Sequence, residues 1–237
     1  MNFQHRSYEK ELLDRDDIPF ADIRRNMQEL ETINNLLGGH RITTKGIKHI
    51  IEGSSRPMLT VCEIGCGGGD NLHAIKKHLQ RSNVVPQFIG IDINSHCIEY
   101  AKSRNLENSS WMVSDYRDVT FDTKPDIIFS SLFCHHFDDE ELIFMFNWMK
   151  ENSNDGFFIN DLQRHPLAYH SIRLLTRLFS KSYLVKNDAP LSVRRGFKRS
   201  ELKLLLARAG IEHCSINWEW AFRWLVTVKH EQPVTTL

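Results

Sequence analysis

Short apolar runs alternate with segments of helical periodicity along most of this 237-residue chain. A strand that is buried on both faces of a sheet is apolar throughout, whereas a surface helix repeats its apolar positions every three or four residues. The alternation of these two patterns predicts a mostly parallel sheet with helices on both faces. The predicted strands are residues 59–64, 88–92, 110–113, 125–130 and 156–159.

The C-terminal part of the chain predicts an antiparallel ending. A helix is predicted over residues 200–209, because Gly210 is a usual signal for a helix to stop. Residues 211–218 and 222–228 then predict a hairpin, which brings the sheet to seven strands. The other predicted helices are residues 71–80, a helix that starts at Ser95, residues 138–150 and residues 171–180.

These elements predict a single domain over residues 1–237, with four parts. Residues 1–57 are interpreted as an N-terminal helical cap with a break at Gly38-Gly39, and residues 58–161 as the half that binds a cofactor. Residues 162–197 are interpreted as a helical insertion that covers the substrate. Residues 198–237 are the closing helix and hairpin.

A glycine cluster follows the first predicted strand, where a nucleotide cofactor usually binds. Gly65, Gly67 and Gly69 come directly after Glu63 and an apolar run. Glycine lets the backbone approach a ligand closely because it has no Cβ. A dinucleotide fingerprint needs its third glycine at the sixth position of the loop, where this chain has Asp70. The pattern therefore disfavours a nicotinamide-dependent oxidoreductase.

With Glu63 before it, the Gly65-x-Gly67-x-Gly69 loop resembles motif I of the class I S-adenosylmethionine-dependent methyltransferases. The resemblance implies a Rossmann-like α/β fold with seven strands and an antiparallel last strand. It also implies S-adenosyl-L-methionine as cofactor and S-adenosyl-L-homocysteine as product.

The same resemblance implies roles for residues at the ends of the next two strands. Asp92 would accept the ribose hydroxyls, with Ile93 against the adenine. Asp115, or Asp118 as the alternative acid, would accept the adenine amino group beside Tyr116. The expected cofactor-binding residues are Glu63, Gly65, Gly67, Gly69, Asp92, Ile93, Asp115, Tyr116 and Ser131.

Four histidines are candidates for a catalytic base. His135 and His136 follow the fourth strand, and His165 and His170 follow the fifth. Ligands gather beyond the carboxyl ends of parallel strands, and histidine is the side chain best matched to proton removal near neutral pH. The alternatives are a structural role for the first pair, as in related small-molecule methyltransferases, and a surface position for the second.

No metal site is expected from the residues that follow the fourth and fifth strands. Catechol-type methyltransferases need an acid after strand four and an Asp-Asn pair after strand five to bind magnesium through oxygen. This chain has Ser130-Ser131 at the first place and the reversed order Asn160-Asp161 at the second.

Residues 162–199 carry nine basic side chains against one acid, in a chain whose formal net charge is zero. A basic amphipathic helix over residues 171–180 fits a lid over the substrate, a surface that meets anionic lipid or an acidic carrier protein, a dimer contact, or a solvated face without a role. The acidic N-terminal stretch is able to neutralise this segment. The expected substrate-binding residues are Arg164, Tyr169, Arg194 and Arg195.

The flanking segments resemble those of bacterial class I methyltransferases found alongside polyketide or phenolic-lipid biosynthesis. The resemblance is carried by Glu11-Leu12-Leu13-Asp14 and by residues 160–169 and 190–197. It implies a small lipophilic phenol, or another hydroxylated polyketide, as the methyl acceptor. The alternatives are C-methylation of a quinone-type ring and a non-catalytic protein that binds the cofactor as the partner of a synthase.

Composition limits the other possibilities. Equal numbers of acidic and basic residues, 30 of each, give no reason to expect a nucleic-acid partner. No stretch approaches the ~20 apolar residues of a membrane span, and the first residues are polar, so a cytoplasmic location is expected. The five cysteines include no CxxC pair and are interpreted as reduced, packed thiols.

Overall fold

Seven strands form one sheet in this computed structural model, which describes residues 3–15, 17–53, 56–80 and 82–230. The strands are β1 (Met58–Ile64), β2 (Val85–Asp92), β3 (Ser109–Val113), β4 (Ile127–Ser131), β5 (Gly156–Leu162), β6 (Ser215–Glu219) and β7 (Arg223–Lys229). Their order across the sheet is β3-β2-β1-β4-β5-β7-β6. Strands β1 to β5 are parallel, and β7 runs antiparallel to both β5 and β6, as the sequence predicted.

Helices cover both faces of this sheet. They are α1 (Phe20–Leu36), α2 (Gly39–Ile51), α3 (Asp70–Leu79), α4 (Ser95–Ser103), α5 (Asp139–Asn152), α6 (Pro166–Phe179), α7 (Tyr183–Arg195) and α8 (Arg199–Arg208). Gly38, in the left-handed region at φ 77°, separates α1 from α2 at the predicted break. One apolar cluster lies on each face, and the stacked rings of Phe129 and Phe158, 4.8 Å apart, belong to the cluster on the α2 side.

Helix α7 was not predicted, and Pro190 explains why. Proline inside a helix removes a backbone donor and clashes with the preceding turn, so a segment that contains one gives no clear helical signal. The Ser182 hydroxyl accepts the Val185 N–H and caps the start of α7, which supports the helix locally. Helix α6 also begins five residues earlier than predicted, because Pro166 occupies its first turn.

The first described residues do not form the helix that the sequence suggested. Residues 3–15 cross the end of the sheet with only a short 3-10 helix, Leu12–Asp14. The Asp188 carboxylate accepts the N–H groups of Leu12 and Leu13, and the Ser7 N–H donates to the Arg194 carbonyl. Helix α7 thereby holds this N-terminal strap, and with it Glu11, against the carboxyl ends of the strands.

Candidate active site

The glycine loop between β1 and α3 needs its glycines for two different reasons. Gly65 has φ 65°, and a Cβ there would lie 2.3 Å from the Phe133 ring, so no larger residue fits. Gly67 has φ 49°, and a Cβ there would meet nothing within 4 Å. One glycine is therefore packed under the loop that follows β4, whereas the other exposes bare backbone to open space.

Two acidic residues, Glu63 and Asp92, lie at the ends of the strands next to this loop. Glu63, at the end of β1, is buried, and its Oε1 accepts the Asn71 amide at 2.8 Å. Its Oε2 is buried without a hydrogen-bond partner among the described residues, and burial raises its pKa well above the usual value. Asp92 ends β2 and accepts the Gly67 N–H at 2.8 Å, which fixes the loop to the neighbouring strand. A buried Glu63 oxygen without a protein partner fits a polar ligand group that forms a hydrogen bond with it.

The other expected cofactor residues lie nearby, with different surroundings. Ile93 follows Asp92 with 74% of its surface exposed, so it is open to a flat ligand. Asp115 is engaged by the Arg117 guanidinium, which lowers the pKa of Asp115 despite partial burial. Tyr116 packs in the core against Phe137 and Trp148 instead of facing the open space, because its ring is needed to fill the layer under α5. The Ser131 hydroxyl, at the end of β4, accepts the Asn160 amide.

His135 and His136 lie beyond the end of β4, and each is held by a carboxylate. His135 Nδ1 lies 2.8 Å from Asp161 Oδ1, and His136 Nδ1 lies 3.1 Å from Asp14 Oδ1. Their Nε2 atoms face opposite oxygens of Glu11, at 3.5 Å for His135 and 3.8 Å for His136. His135 is buried, whereas the side chain of His136 remains 21% exposed.

The carboxylates decide the charge of His135. Burial alone would lower the pKa of His135, but Asp161 and Glu11 raise it to about 9. Burial would raise the pKa of Asp161 and of Glu11, whereas the His135 ring lowers both below their usual values. At neutral pH His135 is therefore an imidazolium between two carboxylates.

This cluster is also a group that could hold a metal ion. Glu11, His135 and His136 each offer a ligand atom, and these atoms lie within 4.8 Å of one another. The expectation of metal independence was based on Ser130-Ser131 and Asn160-Asp161, and it did not consider these three residues. That expectation stays a prediction.

An apolar cavity of about 400 Å³ begins at this cluster and extends between the N-terminal strap, α1, α6, α7 and the β6–β7 turn. Glu11, His135 and His136 form its polar end. Leu132, at the end of β4, also lines it, and the adjacent Phe133 lies against Gly65. Its apolar walls include Leu30, Ile33, Leu37, Leu162, Ile172, Leu175, Val193, Trp218, Trp220 and Phe222. The β4 loop therefore separates the glycine loop from the cavity by one or two side chains.

The basic residues expected at the substrate hold the protein together instead. The Arg164 guanidinium donates to the carbonyls of Phe3, Gln4 and Gly196. That of Arg195 donates to the carbonyls of Glu9, His135 and His136. Arg194 pairs with Glu9 at 3.0 Å. Among the described residues, none of these three arginines lines the cavity, and most of their donors bind backbone or carboxylate oxygens of the strap, the β4 loop and the end of α7.

Three more expected residues lie outside the cavity wall. Tyr169 is buried against Phe3 and Val193. His165 caps α6 by accepting the Leu167 N–H, and its ring stacks on Phe222. His170 is exposed on the outer side of α6. The structure thus brings His135 and His136 to the cavity and leaves His165 and His170 away from it.

Sequence reasoning missed Glu11, Asp14 and Arg223 as site residues and gave Asp161 no catalytic part. Glu11 and Asp14 were part of a quoted segment, but 124 residues separate Glu11 from His135 and no local pattern joins them. The available signal for Asp161 was an acid close to the end of a predicted buried strand. Arg223 starts β7 within a predicted strand, where an arginine carries no sequence signal of its own.

Comparison with known proteins decides the class of this domain. Residues 61–156 match the model of a methyltransferase domain family. This part of the chain is a methyltransferase domain. The match spans β1 to the start of β5 and includes the glycine loop, Asp92 and the two cavity histidines. It confirms the predicted class, a class I S-adenosylmethionine-dependent methyltransferase.

Solved structures share the fold of this methyltransferase over most of its length. The plantazolicin methyltransferase BpumL in complex with S-adenosylhomocysteine (SAH) is 18% identical, with a TM-score of 0.63 over 81% of this chain and 72% of that one. Its complex with a monoazolic desmethylPZN analog and SAH gives 15% identity and a TM-score of 0.67 over 90% and 92%. The magnesium protoporphyrin IX methyltransferase ChlM from Synechocystis PCC 6803 with bound SAM is 12% identical, with a TM-score of 0.56 over 85% and 84%.

No curated protein sequence matches this chain. Within the described ranges, none of the helices has both the length and the apolar character needed to cross a bilayer.

Proposed function

We propose that this methyltransferase transfers a methyl group from S-adenosylmethionine to a hydroxyl of a small lipophilic acceptor, aromatic or polyketide-derived, without a metal ion. One observation carries the proposal. An apolar cavity of about 400 Å³ ends at Glu11, His135 and His136, one loop away from the glycine loop. Apolar walls with a few convergent polar groups are the usual form of a small-molecule site.

The residues of the glycine loop fit the cofactor. The exposed backbone at Gly67 gives the methionine part room, and the unpartnered Glu63 Oε2 offers a hydrogen-bond partner to its polar end. Asp92 and the exposed Ile93 would hold the ribose and the adenine. When bound, S-adenosylmethionine supplies an activated sulfonium methyl group. The protein then has to orient the acceptor and exclude water.

His136 is the base that this geometry favours. It lines the cavity, is partly exposed to it, and is oriented by Asp14 at 3.1 Å. The buried His135 is charged at neutral pH, so it serves better to stabilise a phenolate than to remove a proton. A phenol has a pKa near ~10, and a positioned base contributes roughly 10²–10⁴ in rate.

The charges of the cluster support a mechanism without a metal ion. Glu11, Asp14 and Asp161 supply three carboxylates, and Arg195 lies 3.6 Å from Asp14 Oδ2. The protonated His135 ring neutralises part of the negative charge of these carboxylates. A divalent cation that binds His135 Nε2 would have to displace the proton from that atom. Chelation with EDTA should therefore leave turnover unchanged, whereas loss of turnover restored by a divalent cation would contradict this part of the proposal.

The decisive variant is His136→Gln, with His170→Gln as its matched control, because His170 is exposed outside the cavity. Turnover of a 3-alkylphenol should fall roughly 10²–10⁴-fold in His136→Gln and stay unchanged in His170→Gln. Affinity for S-adenosylhomocysteine, measured by calorimetry, should be the same in both. Equal turnover in the two variants would remove His136 as the base.

The two alternatives have their own outcomes in the same assay. A ring methyl in the product would favour C-methylation of a quinone-type acceptor. Cofactor binding without product from any phenol of a broad panel would favour a non-catalytic partner of a synthase.

The surface of α6 supports anionic lipid as the partner, in the cytoplasmic leaflet. Leu174, Leu178 and Phe179 are 60%, 66% and 76% exposed, and Arg173 and Arg177 have no acidic partner among the described residues. Exposed apolar side chains beside basic ones are the mark of an interfacial helix. Leu175 of α6 lines the cavity together with Trp218 of β6 and Trp220 of the β6–β7 turn, and both tryptophans are exposed.

This partner proposal is tested with vesicles. Binding to phosphatidylglycerol vesicles should exceed binding to phosphatidylcholine vesicles, and Leu178→Ser should weaken it. Leu204→Ser, at a comparably exposed leucine of α8, is the matched control. Binding to an acidic carrier protein, or a dimer that Leu178→Ser dissolves, would contradict the lipid assignment.

A further inference from the structure

Arg223 is a buried arginine whose guanidinium is largely without acceptors. It begins β7, is only 3% exposed, and lines the cavity. Its Nη2 donates to the Asn34 side-chain oxygen at 2.8 Å. Its Nε and Nη1 are buried and have no hydrogen-bond partner among the described residues. A buried donor without an acceptor is rare enough to need an explanation.

The nearest carboxylates do not supply those acceptors. Asp70 and Asp161 interact with Arg223 electrostatically but accept no hydrogen bond from it. Asp70 pairs with His40 at 2.7 Å, and Asp161 pairs with His135 at 2.8 Å. In the described part of the chain, no carboxylate forms an ion pair with Arg223. Burial lowers its pKa to about 10, so it is still protonated at neutral pH. The cavity thus contains a positive charge with free donors.

Arg195 shows what a structural arginine looks like in this protein. It is equally buried, at 5% exposed, yet its Nε, Nη1 and Nη2 each donate to a backbone carbonyl. It does not line the cavity. The two arginines therefore differ in whether the protein itself satisfies the guanidinium. Since an unpaired buried charge is strongly destabilising, a ligand anion is the natural partner for Arg223.

We propose that Arg223 binds a carboxylate of the methyl acceptor, so that the acceptor is a lipophilic hydroxyaryl acid. The inference rests on the proposed function, because it takes the apolar cavity as the acceptor site. Arginine is the side chain best suited to carboxylates, since its planar donors match both oxygens. The apolar walls would hold the hydrocarbon part, and the cluster of Glu11, His135 and His136 would face the hydroxyl.

The test uses a matched pair of probes and a matched pair of variants. Calorimetry with 4-hexylbenzoate and the neutral 4-hexylbenzamide, both in the presence of S-adenosylhomocysteine, measures preference for the charge. The wild type should bind the benzoate at least 10-fold more tightly than the amide. Arg223→Met should abolish that preference, and Arg223→Lys should restore part of it.

Stability separates a ligand-binding role from a structural one. Arg223→Met removes an unpaired charge and should leave the urea midpoint unchanged or raise it, whereas Arg195→Met should lower it. Several results would overturn the proposal: equal affinity of the wild type for both probes, a preference that survives in Arg223→Met, or a lower urea midpoint in that variant.

A carboxylate of the cofactor is the other source of the same chemistry. If Arg223→Met weakens S-adenosylhomocysteine but not 5′-methylthioadenosine, which lacks the carboxylate, then Arg223 serves the cofactor and the acceptor assignment is wrong. Failure of the proposed function looks different. Neither probe would bind while the cofactor does, or the cofactor itself would not bind, and either result would overturn the inference as well.

Discussion

Raising the pH through about 9 should remove a definable part of the folding stability of this methyltransferase. Asp161 and Glu11 raise the pKa of His135 to about 9 in the folded protein, whereas an unfolded histidine titrates near ~6.5. A group whose pKa is raised by folding contributes its full stability below the unfolded pKa. The contribution is lost as the pH rises through the folded pKa.

The size of the loss follows from these two pKa values. Between about pH 7 and about pH 9.5, the His135 contribution to the free energy of unfolding should fall by about 2 kcal/mol. Asp161 and Glu11 have pKa values below their usual ones, so both stay ionised across this window. The window therefore isolates the imidazolium from the two carboxylates that surround it.

The assay is urea denaturation followed by tryptophan fluorescence, at several pH values, for the wild type and His135→Gln. Other groups also titrate at high pH, but they do so in both proteins. The difference between the two free energies of unfolding should therefore shrink by about 2 kcal/mol across the window at constant m-value. A difference that does not change with pH would show that His135 is neutral in the folded protein, which would refute the charge assignment in the site.

Three more substitutions have definite expected outcomes. Gly65→Ala should lower the free energy of unfolding by about 1–3 kcal/mol, because its Cβ would lie 2.3 Å from the Phe133 ring, and urea denaturation measures this; a neutral result would contradict the packing of the β4 loop. A Cβ at Gly67 would meet no atom within 4 Å, so Gly67→Ala should lower the free energy of unfolding by only roughly 1 kcal/mol, through left-handed backbone strain. Calorimetry should nevertheless show weaker binding of S-adenosylhomocysteine to this variant. Unchanged affinity would place the cofactor elsewhere. Arg195→Met should cost about 3–5 kcal/mol, because three buried or partly buried carbonyls lose their charged donor, and an unchanged urea midpoint would contradict that role.

The cofactor half of the fold could be predicted from the sequence because its signals are local. Uniform apolar runs mark β1, β2, β4 and β5, and the glycines with Asp92 follow directly from them. Parallel strands place their carboxyl ends at one edge, so the position of His135 and His136 near the cofactor loop also followed. These inferences need only neighbours along the chain and the rules of a parallel sheet.

The acceptor side could not be predicted, because it depends on contacts between distant segments. Glu11 reaches His135 because the N-terminal strap is bound by α7 through Asp188 and Arg195, and Pro190 made α7 hard to predict. The arginines near α6 and α7 looked like ligand-binding residues from their charge. Their role depends on carbonyls of the strap and the β4 loop, which no local pattern reveals.

The most direct test of the central claim is a single incubation analysed by NMR. The protein is mixed with 3-pentylphenol and S-adenosylmethionine labelled with carbon-13 in its methyl group. The account predicts a labelled methoxy carbon on the phenol, formed without added metal and strongly reduced in His136→Gln. A labelled methyl on a ring carbon, or no labelled product while the cofactor binds, would contradict it.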